Sequence, residues 1–412
     1  MDAAKRQIAF VNLAHVFTHY GLLILATAVL AMVVQEGATF GALYGPVLAL
    51  GTGMFVVYGL GSLPMGWIAE RTGRPVLLLA FFLGTGAGMA AAGFATGPWS
   101  LAAAMFVMGA FSAIYHPIGT AMLVDAAGAR VGAAVGINGV FGNLGVALAP
   151  VVTAAVAAAF GWRWAFLLPG LLCMASGLLY WANGLTDVAR AKAAGRPFPE
   201  IPRAVVRRAV IVLLCIATTS GFVFNGFTLL LPKLMEERLA GSPDLLPVVG
   251  ALAFMVTLCG GLTQFTVGRL IDRNTLKRVF MPLALVQMPA LLVLTQLSGW
   301  PVLVISALVC ASVFGQVTVN ETMTARYVAP ALRAKLYSIR FSVGFLGAAT
   351  ASPVVAGLYE WFGGSGAVLA VLGIFATITL ACALFFPDRR EELQPELWER
   401  SLPARGAAAA AE

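Results

Sequence analysis

Twelve apolar stretches, each about as long as a membrane-spanning helix, dominate this sequence of 412 residues. A helix needs about 20 apolar residues to cross the hydrocarbon core of a bilayer. Residues are 60% hydrophobic and 11% charged, which leaves too few polar side chains to cover a water-soluble protein of this length. The sequence therefore predicts an all-α integral membrane protein. The predicted spans lie near residues 8–34, 44–69, 75–95, 99–124, 131–159, 164–183, 208–235, 246–271, 277–297, 301–326, 334–360 and 365–386.

The first stretch follows Lys5 and Arg6, as the apolar region of a secretory signal would. It is longer than such a region, and many similar stretches follow it. We interpret it as a first spanning helix and not as a cleaved leader.

A polar segment near the middle of the chain divides the spans into two groups of six. It is rich in arginine and proline, a composition that neither spans a membrane nor packs into a core. The predicted organisation is an N-terminal half at 1–183, a cytoplasmic linker at 184–207, a C-terminal half at 208–387 and a cytoplasmic tail at 388–412.

A charged turn between apolar stretches occurs twice, at Gly66–Pro75 and again at Gly268–Arg278, about half the chain apart. Pro150-Val151-Val152 recurs at a similar distance as Pro353-Val354-Val355. A sequence that repeats at half its length indicates two related halves, here six helices each. We expect the turns to act as a gating motif. Its members are Gly66, Glu70, Arg71, Gly73, Arg74, Asp272 and Arg273.

Most of the 26 lysines and arginines fall on one side of the membrane if the N-terminus is cytoplasmic and the spans alternate. The exceptions are Arg163, Lys233 and Arg238 outside and Arg340 within a span. Basic residues concentrate on the cytoplasmic side of membrane proteins. The net charge of +8 is therefore a signal of topology and not of nucleic-acid binding, and both termini are predicted to be cytoplasmic. The five cysteines are scattered singly, which predicts neither disulfides nor a metal site.

The residues of the first charged turn give a specific resemblance. Gly66-x-Ile68-Ala69-Glu70-Arg71-x-Gly73-Arg74 resembles the signature between helices two and three of the major facilitator superfamily, with Glu in place of the usual Asp. Phe160-Gly161-Trp162-Arg163 is also typical of members that enter their sixth helix. The resemblance covers essentially the whole chain. It implies two six-helix pseudo-symmetric halves that move about a central site by alternating access.

Two further motifs are similar to narrower groups. Gly136, Gly145 and Ala149-Pro150 resemble the antiporter pattern of the fifth helix. Tyr115-His116-Pro117, with the opening of the fifth span and the paired histidines of the first, is similar to fosmidomycin-resistance-like bacterial exporters and related permeases. This resemblance implies efflux across a bacterial cytoplasmic (inner) membrane. We expect a monomer in contact with lipid.

All three histidines of the chain fall in predicted spans of the first half. Asn12, His15 and His19 are spaced i, i+3 and i+7, so they share one helical face. A polar face in lipid must contact protein or a water-filled cavity, and histidine titrates near neutral pH. One hypothesis is that this face, with Tyr115, His116 and Asn138, binds substrate or a proton. The alternative is that the histidines only form hydrogen bonds between packed helices.

The second half carries a different polar set within its spans: Asn225, Gln316, Asn320, Glu321 and Arg340. A charge inside the bilayer costs several kcal/mol unless it is paired or hydrated. Glu321 near the end of the tenth span and Arg340 near the start of the eleventh are predicted to lie at similar depth. One interpretation is a purely structural ion pair. In the other, Arg340 faces an anionic substrate, and Glu321 either modulates Arg340 or carries the coupling proton.

Among these residues three histidines and Arg340 stand against a single acidic side chain, Glu321. A cavity that they line would be cationic or neutral, which favours a small organic anion or a polar neutral substrate over a lipophilic cation. The sequence has no phosphate-binding loop with Lys-Ser/Thr, so a proton gradient is the expected energy source. We predict a proton-coupled secondary transporter without a cofactor, with export as the leading direction. Proton-coupled uptake of an organic acid is the alternative, and a membrane-embedded enzyme or receptor is a remote one.

Glu70 has a predicted role of its own in the first turn. Its carboxylate can accept hydrogen bonds from the amides of a neighbouring helix or pair with an arginine. We expect it to latch the cytoplasmic ends of the halves in the outward-open state.

Overall fold

The computed structural model of the protein describes residues 2–127, 131–188, 201–240, 245–271, 273–328 and 330–388. Regular secondary structure within these ranges is helical. The helices of the first half are α1 (Ala3–Gln35), α2 (Gly37–Phe40), α3 (Tyr44–Ala49), α4 (Thr52–Gly61), α5 (Met65–Thr72), α6 (Arg74–Gly93), α7 (Pro98–Ser112), α8 (Thr120–Ala127), α9 (Val131–Phe160) and α10 (Trp162–Ala182). Those of the second half are α11 (Arg203–Met235), α12 (Leu246–Ile271), α13 (Leu276–Leu294), α14 (Pro301–Tyr327), α15 (Pro330–Phe362) and α16 (Ser365–Phe385).

Twelve helical stretches in the described part of the chain are long and apolar enough to cross a membrane. Three of them are composite: α3 and α4 together form the second span, α7 and α8 the fourth, and α11 with the π-helical segment Glu236–Ala240 the seventh. The fourth span is joined by a π-helical segment at Tyr115–Gly119. The prediction of an all-α membrane protein with twelve spans is confirmed.

Several helices begin before their predicted spans, and α1 and α11 do so by five residues each. The first, α1, begins at Ala3 because the carboxylate of Asp2 caps it and accepts a hydrogen bond from the Ala4 amide at 3.4 Å. The seventh span, α11, begins at Arg203 directly after Pro202, which lies at its N-cap. The last residues of the predicted linker are therefore helical, and residues 189–200 lie outside the described ranges. The division at 184–207 stays a prediction.

Within each half, long helices pack in pairs. In the first half α1 packs on α9 and α6 on α10, and in the second half α11 packs on α15 and α12 on α14. Small residues bring some of these helices into close contact. A Cβ on Gly170 of α10 would lie 2.7 Å from the Ala90 amide nitrogen of α6, so only glycine permits this approach.

The halves meet along two seams, α4 with α15 and α9 with α12. On the second seam the Asn143 side-chain amide donates a hydrogen bond to the side-chain oxygen of Gln264. The halves are also joined at the end of the bundle opposite the N-terminus. There the Tyr44 hydroxyl donates to the Leu229 carbonyl at 3.1 Å, and the Gly45 amide donates to Glu360 Oε1 at 2.6 Å. This end of the bundle is held closed by contacts between the halves.

Candidate functional site

The polar face of α1 points into the first half, as its spacing predicts. Asn12 and His15 are buried and His19 is half-buried. The Asn138 carbonyl on α9 lies 2.7 Å from Nδ1 of His15. A carbonyl oxygen can only accept a hydrogen bond, so Nδ1 of His15 carries a proton, and Nε2 of the neutral ring is an acceptor that lies 3.1 Å from Nε2 of His19.

The π-helical segment brings the fourth span to this face. Pro117 lies in its centre and has no amide hydrogen for a helical hydrogen bond, which is consistent with the local widening of the helix. Tyr115 and His116 both reach the cluster from consecutive positions. The ring of Tyr115 stacks on His15 at 4.7 Å between centroids, and the ring of His116 meets His15 edge-on at 5.5 Å.

Asn138 connects the surrounding side chains into one network. Its side-chain amide donates to Asn12 Oδ1 at 2.9 Å, and its Oδ1 accepts a hydrogen bond from the Tyr115 hydroxyl at 3.1 Å. Its backbone carbonyl accepts from His15. One residue of α9 thereby fixes side chains from α1 and from the fourth span.

The three histidines converge at the centre of this network. Nε2 of His15 lies 3.1 Å from Nε2 of His19. One ring nitrogen from each of His15, His19 and His116 lies within 4.8 Å of the other two, and these three residues form a group that could hold a metal ion. No metal site was predicted from the sequence, in which the cysteines are scattered singly.

Two glycines make room for the cluster, and neither was predicted to be part of it. A Cβ on Gly142 would lie 2.5 Å from Cε1 of His15, and a Cβ on Gly119 would lie 2.8 Å from the Tyr115 ring. Gly142 is one of several glycines that recur in the fifth span. Such glycines indicate that another helix packs closely, but they do not identify that helix. Gly119 gave no signal in the sequence.

Tyr58 and Phe345 extend the region to the second half, and both were missed from the sequence. Tyr58 is 1% exposed, and its hydroxyl has no hydrogen-bond partner among the described residues. Its ring lies 6.2 Å from His116 and 4.6 Å from Phe345 of α15, and Phe345 lies 5.9 Å from His116. A tyrosine inside an apolar span was the one available signal.

Arg340 and Glu321 form an ion pair between the adjacent helices α15 and α14. Arg340 Nη2 lies 2.5 Å from Glu321 Oε1, and the side chains are 12% and 42% exposed, respectively. Their predicted similarity in depth is consistent with this contact. Arg340 lies on the same helix as Phe345, whose ring is 5.9 Å from that of His116, so the helix that carries the arginine also contacts the histidine cluster.

The other polar residues of the second half are used differently. Gln316 is fully buried, and its amide accepts from the Ser220 hydroxyl at 2.5 Å and donates to Gln287 at 2.9 Å. Asn225 donates to the Gly221 carbonyl of its own helix at 2.8 Å. Asn320 is 6% exposed, and its Oδ1 has no partner among the described residues. Of these three, Asn320 is the one with an unused acceptor near Glu321.

The first charged turn joins α5 to α6. Gly73 has a φ of +84°, a conformation that favours glycine. Arg74 binds Asp125 at 2.8 Å and Asp187 at 2.6 Å, so it ties the end of the fourth span to the segment after α10. Asp187 was not predicted as its partner, because it lies far away in sequence.

The remaining members of the gating motif are less engaged. Glu70 and Arg71 are exposed, and Arg71 stacks over the Trp67 ring at 4.6 Å. Gly66 has open space around it. In the second copy Asp272 lies outside the described residues, and Arg273 is exposed. The predicted latch by Glu70 concerns another conformation, and it stays a prediction.

A family model described as Major Facilitator Superfamily matches this chain over residues 11–260 and 241–409. An uncharacterized MFS-type transporter of Bacillus subtilis (strain 168), YfnC, is 33% identical over 113 residues. That segment covers 27% of this chain and 28% of the relative.

Solved structures of a bacterial homolog to the human lysosomal transporter Spinster resemble the whole fold. The inward-facing and unoccupied form has a TM-score of 0.68 at 13% identity, covering 93% of this chain and 96% of that one. The inward-facing and occupied form has a TM-score of 0.69 at 13% identity and covers 97% of each. At this identity the similarity concerns the fold alone.

Proposed function

Since the chain belongs to the major facilitator superfamily and is a multi-pass membrane transporter, not an enzyme, we propose that it moves a small anionic or polar organic molecule coupled to protons. The observation that carries this proposal is the ion pair of Arg340 and Glu321 between two helices of the bundle, one of which also contacts the histidine cluster through Phe345. A fixed positive charge in a bilayer is costly unless it has a partner, and such charges often mark substrate pathways.

The substrate class follows from the groups around the pair. Arg340 presents a planar guanidinium, which suits a carboxylate or phosphonate that binds through two oxygens. His15, His19 and His116 contribute imidazole nitrogens for hydrogen bonds from the other half. A small anion held by Arg340 and contacted by histidines would touch both halves, as alternating access requires.

Glu321 is the proposed carrier of the coupling proton. Its carboxylate occupies Arg340 in the structure, and its side chain is the more exposed member of the pair. Protonation would remove the charge of Glu321 and release Arg340 for an anionic substrate. Loss of this proton from Glu321 would restore the ion pair and expel the anion. This exchange links proton movement to substrate movement through two neighbouring side chains.

Export is the leading direction, because the motifs around Tyr115-His116-Pro117 and Gly136 to Pro150 resemble those of exporters and antiporters. Uptake is a second candidate, and the ion pair favours it. If protonation of Glu321 frees Arg340, proton and anion occupy the site together, as in a symporter. In an exporter the two must alternate there.

The proposal also places the chain as a monomer in the cytoplasmic (inner) membrane of a bacterium, with both termini in the cytoplasm. The concentration of lysine and arginine on one side of the spans supports this orientation.

Proteoliposomes with an internal pH dye test the proposal. We would add anionic, neutral and cationic members of one carbon skeleton and record both their uptake and proton movement. Anion-dependent proton movement is expected, inward with the anion for symport and opposite to it for antiport. Faster transport of the cation than of the anion would overturn the substrate class.

Glu321→Gln should abolish proton movement but keep anion binding. Glu36→Gln is the matched control, since Glu36 also pairs with an arginine, Arg163, at 2.8 Å, but at the end of α1 away from the site. The control is expected to transport normally. Proton coupling that survives in Glu321→Gln would refute the assignment of the proton to this residue.

A further inference from the structure

The chain contains three histidines, and the structure brings all of them together from two separate spans. His15 and His19 come from successive turns of α1, and His116 comes from the π-helical segment. The group contains imidazoles only, without a thiolate or carboxylate. Hydrogen bonding to a substrate does not by itself require three imidazole nitrogens at such short distances.

The orientation of His15 suits a metal ligand. Its Nδ1 donates to the Asn138 carbonyl, and its Nε2 therefore presents a lone pair toward His19. Histidines that bind metals almost always donate their other ring hydrogen to a carbonyl or carboxylate in this way. The stacked Tyr115 ring and the close approach of Gly142 hold the imidazole in this orientation.

The distances suit a small divalent ion. Zinc binds imidazole nitrogen at about 2.0–2.1 Å, so two nitrogens on a tetrahedral zinc lie about 3.3 Å apart. Nε2 of His15 and Nε2 of His19 are 3.1 Å apart, which is close to that value. The nitrogen of His116 lies within 4.8 Å and has to approach by about 1.5 Å.

Tyr58 provides an independent indication of a ligand. Its hydroxyl is buried without a hydrogen-bond partner among the described residues, and its ring lies 6.2 Å from that of His116. A buried unpaired hydroxyl is costly. Three histidines leave the fourth position of a tetrahedral metal open to water or an anion. A ligand in that position could satisfy the Tyr58 hydroxyl.

We propose that His15, His19 and His116 form a binding site for a divalent transition-metal ion of the zinc type. Imidazole ligands favour zinc, nickel, cobalt and copper over magnesium and calcium, which prefer oxygen. Three histidine ligands leave the fourth position open to water or an anion. The same histidines face the substrate in the proposed function, so a bound metal would present this open position, and not free imidazole nitrogens, to the transported anion.

Metal binding is tested on the full-length purified protein, carried by an affinity tag without histidine. Zinc is titrated by calorimetry, and the bound metal is counted by elemental analysis after dialysis. One zinc ion per chain is expected. His19→Gln and His116→Gln should each weaken zinc binding by at least about 10-fold, since each removes one of three ligands. Cys215→Ser is the control, because Cys215 is an exposed thiol remote from the cluster, and it should bind zinc as the unmodified protein does.

X-ray absorption on the zinc-loaded unmodified protein decides the matter even if a histidine variant does not fold. Nitrogen ligands at about 2.0–2.1 Å with imidazole scattering are expected. Sulfur ligands at about 2.3 Å would overturn the proposal, because they would place the ion on cysteines. Zinc binding that is unchanged in both folded histidine variants, or that is absent from the unmodified protein, would overturn it as well.

Discussion

The histidine cluster of the first half and the ion pair of the second half are both polar regions within the helical bundle, but they are held in different ways. His15 is fixed by the Asn138 carbonyl, by the stacked Tyr115 ring and by the surface of Gly142. Arg340 and Glu321 are joined by one short contact between neighbouring helices, and Glu321 is 42% exposed. The cluster is therefore preorganised, whereas the pair can be exchanged.

This difference shows how a repeated scaffold divides its tasks. The positions of the second half that correspond to His15 and His19 fall on Ala217 or Thr218 and on Gly221, which carry no charge. The first half carries imidazoles in a closely packed arrangement, and the second half carries the charged pair. Variants of the pair should therefore affect transport more than stability, and variants around the cluster should affect stability as well.

The largest effect is expected at Arg340. Arg340→Ala should reduce transport of an anionic substrate by about 10- to 100-fold, because a hydrogen bond to a charged group contributes about 1.5–3 kcal/mol. Arg340→Lys should keep part of the activity, since lysine retains the charge but not the planar fork. Initial transport rates in proteoliposomes give the measurement. If the double variant Arg340→Ala, Glu321→Ala transports at the normal rate, the pair is structural and the comparison fails.

A second effect is expected where α9 meets His15. Gly142→Ala should lower the free energy of unfolding by about 1–3 kcal/mol, because its Cβ would overlap the imidazole in a packed region. The control is Gly139→Ala on the same helix, where a Cβ has nothing within 4 Å. It should be neutral or gain up to about 1 kcal/mol from the better helix propensity of alanine. Thermal unfolding in detergent compares the two, and equal shifts would mean that the cluster is not rigid at this point.

A smaller effect is expected from a single hydroxyl of the network. Tyr115→Phe removes the hydrogen bond to Asn138 and should cost about 1 kcal/mol of stability together with part of the transport activity. Tyr20→Phe is the matched control, since the Tyr20 hydroxyl also lies 3.1 Å from a side-chain oxygen of α9, Oγ1 of Thr153, but outside the network of Asn138. Its stability loss should be similar but its transport unchanged. If both variants transport alike, the network of Asn138 has only a packing role.

The smallest effect is expected at the charged turn. Glu70 is exposed in this conformation, so Glu70→Gln should leave the stability of this conformation unchanged. The substitution should destabilise the opposite, outward-open conformation. Exposed ionic contacts contribute up to about 1 kcal/mol, which corresponds to a shift of about 5-fold in population. Labelling of single cysteines at each end, in a background without the five native ones, measures the shift. Unchanged labelling at both ends would exclude the latch.

The fold could be predicted because lipid leaves few alternatives to helices of the right length. Apolar stretches and the repeated turn sufficed for twelve spans in two halves. Helix ends were less predictable. The extension of α11 back to Arg203 depends on a proline at its N-cap and places arginines in a helix that reaches beyond the apolar stretch.

The candidate site was predictable only where it follows the period of one helix. The spacing of Asn12, His15 and His19 places them on one face from sequence alone. The approach of Gly142, the proximity of Tyr58 to His116 and the pairing of Arg74 with Asp187 depend on helices that are distant in sequence. Tyr115 and His116 both reach the cluster because of a π-helical segment, which an ideal helical period does not anticipate.

Gly45 has a practical consequence for conformational trapping. A Cβ at this position would lie 2.5 Å from Cγ of Glu360 and 2.6 Å from the Ala356 carbonyl oxygen, so no side chain fits between the halves there. A bulky residue would act as a wedge, and Gly45→Trp should prop open the end of the bundle that is sealed in this structure. Such a variant would make the opposite state of the cycle accessible to crystallisation and to conformation-specific antibodies.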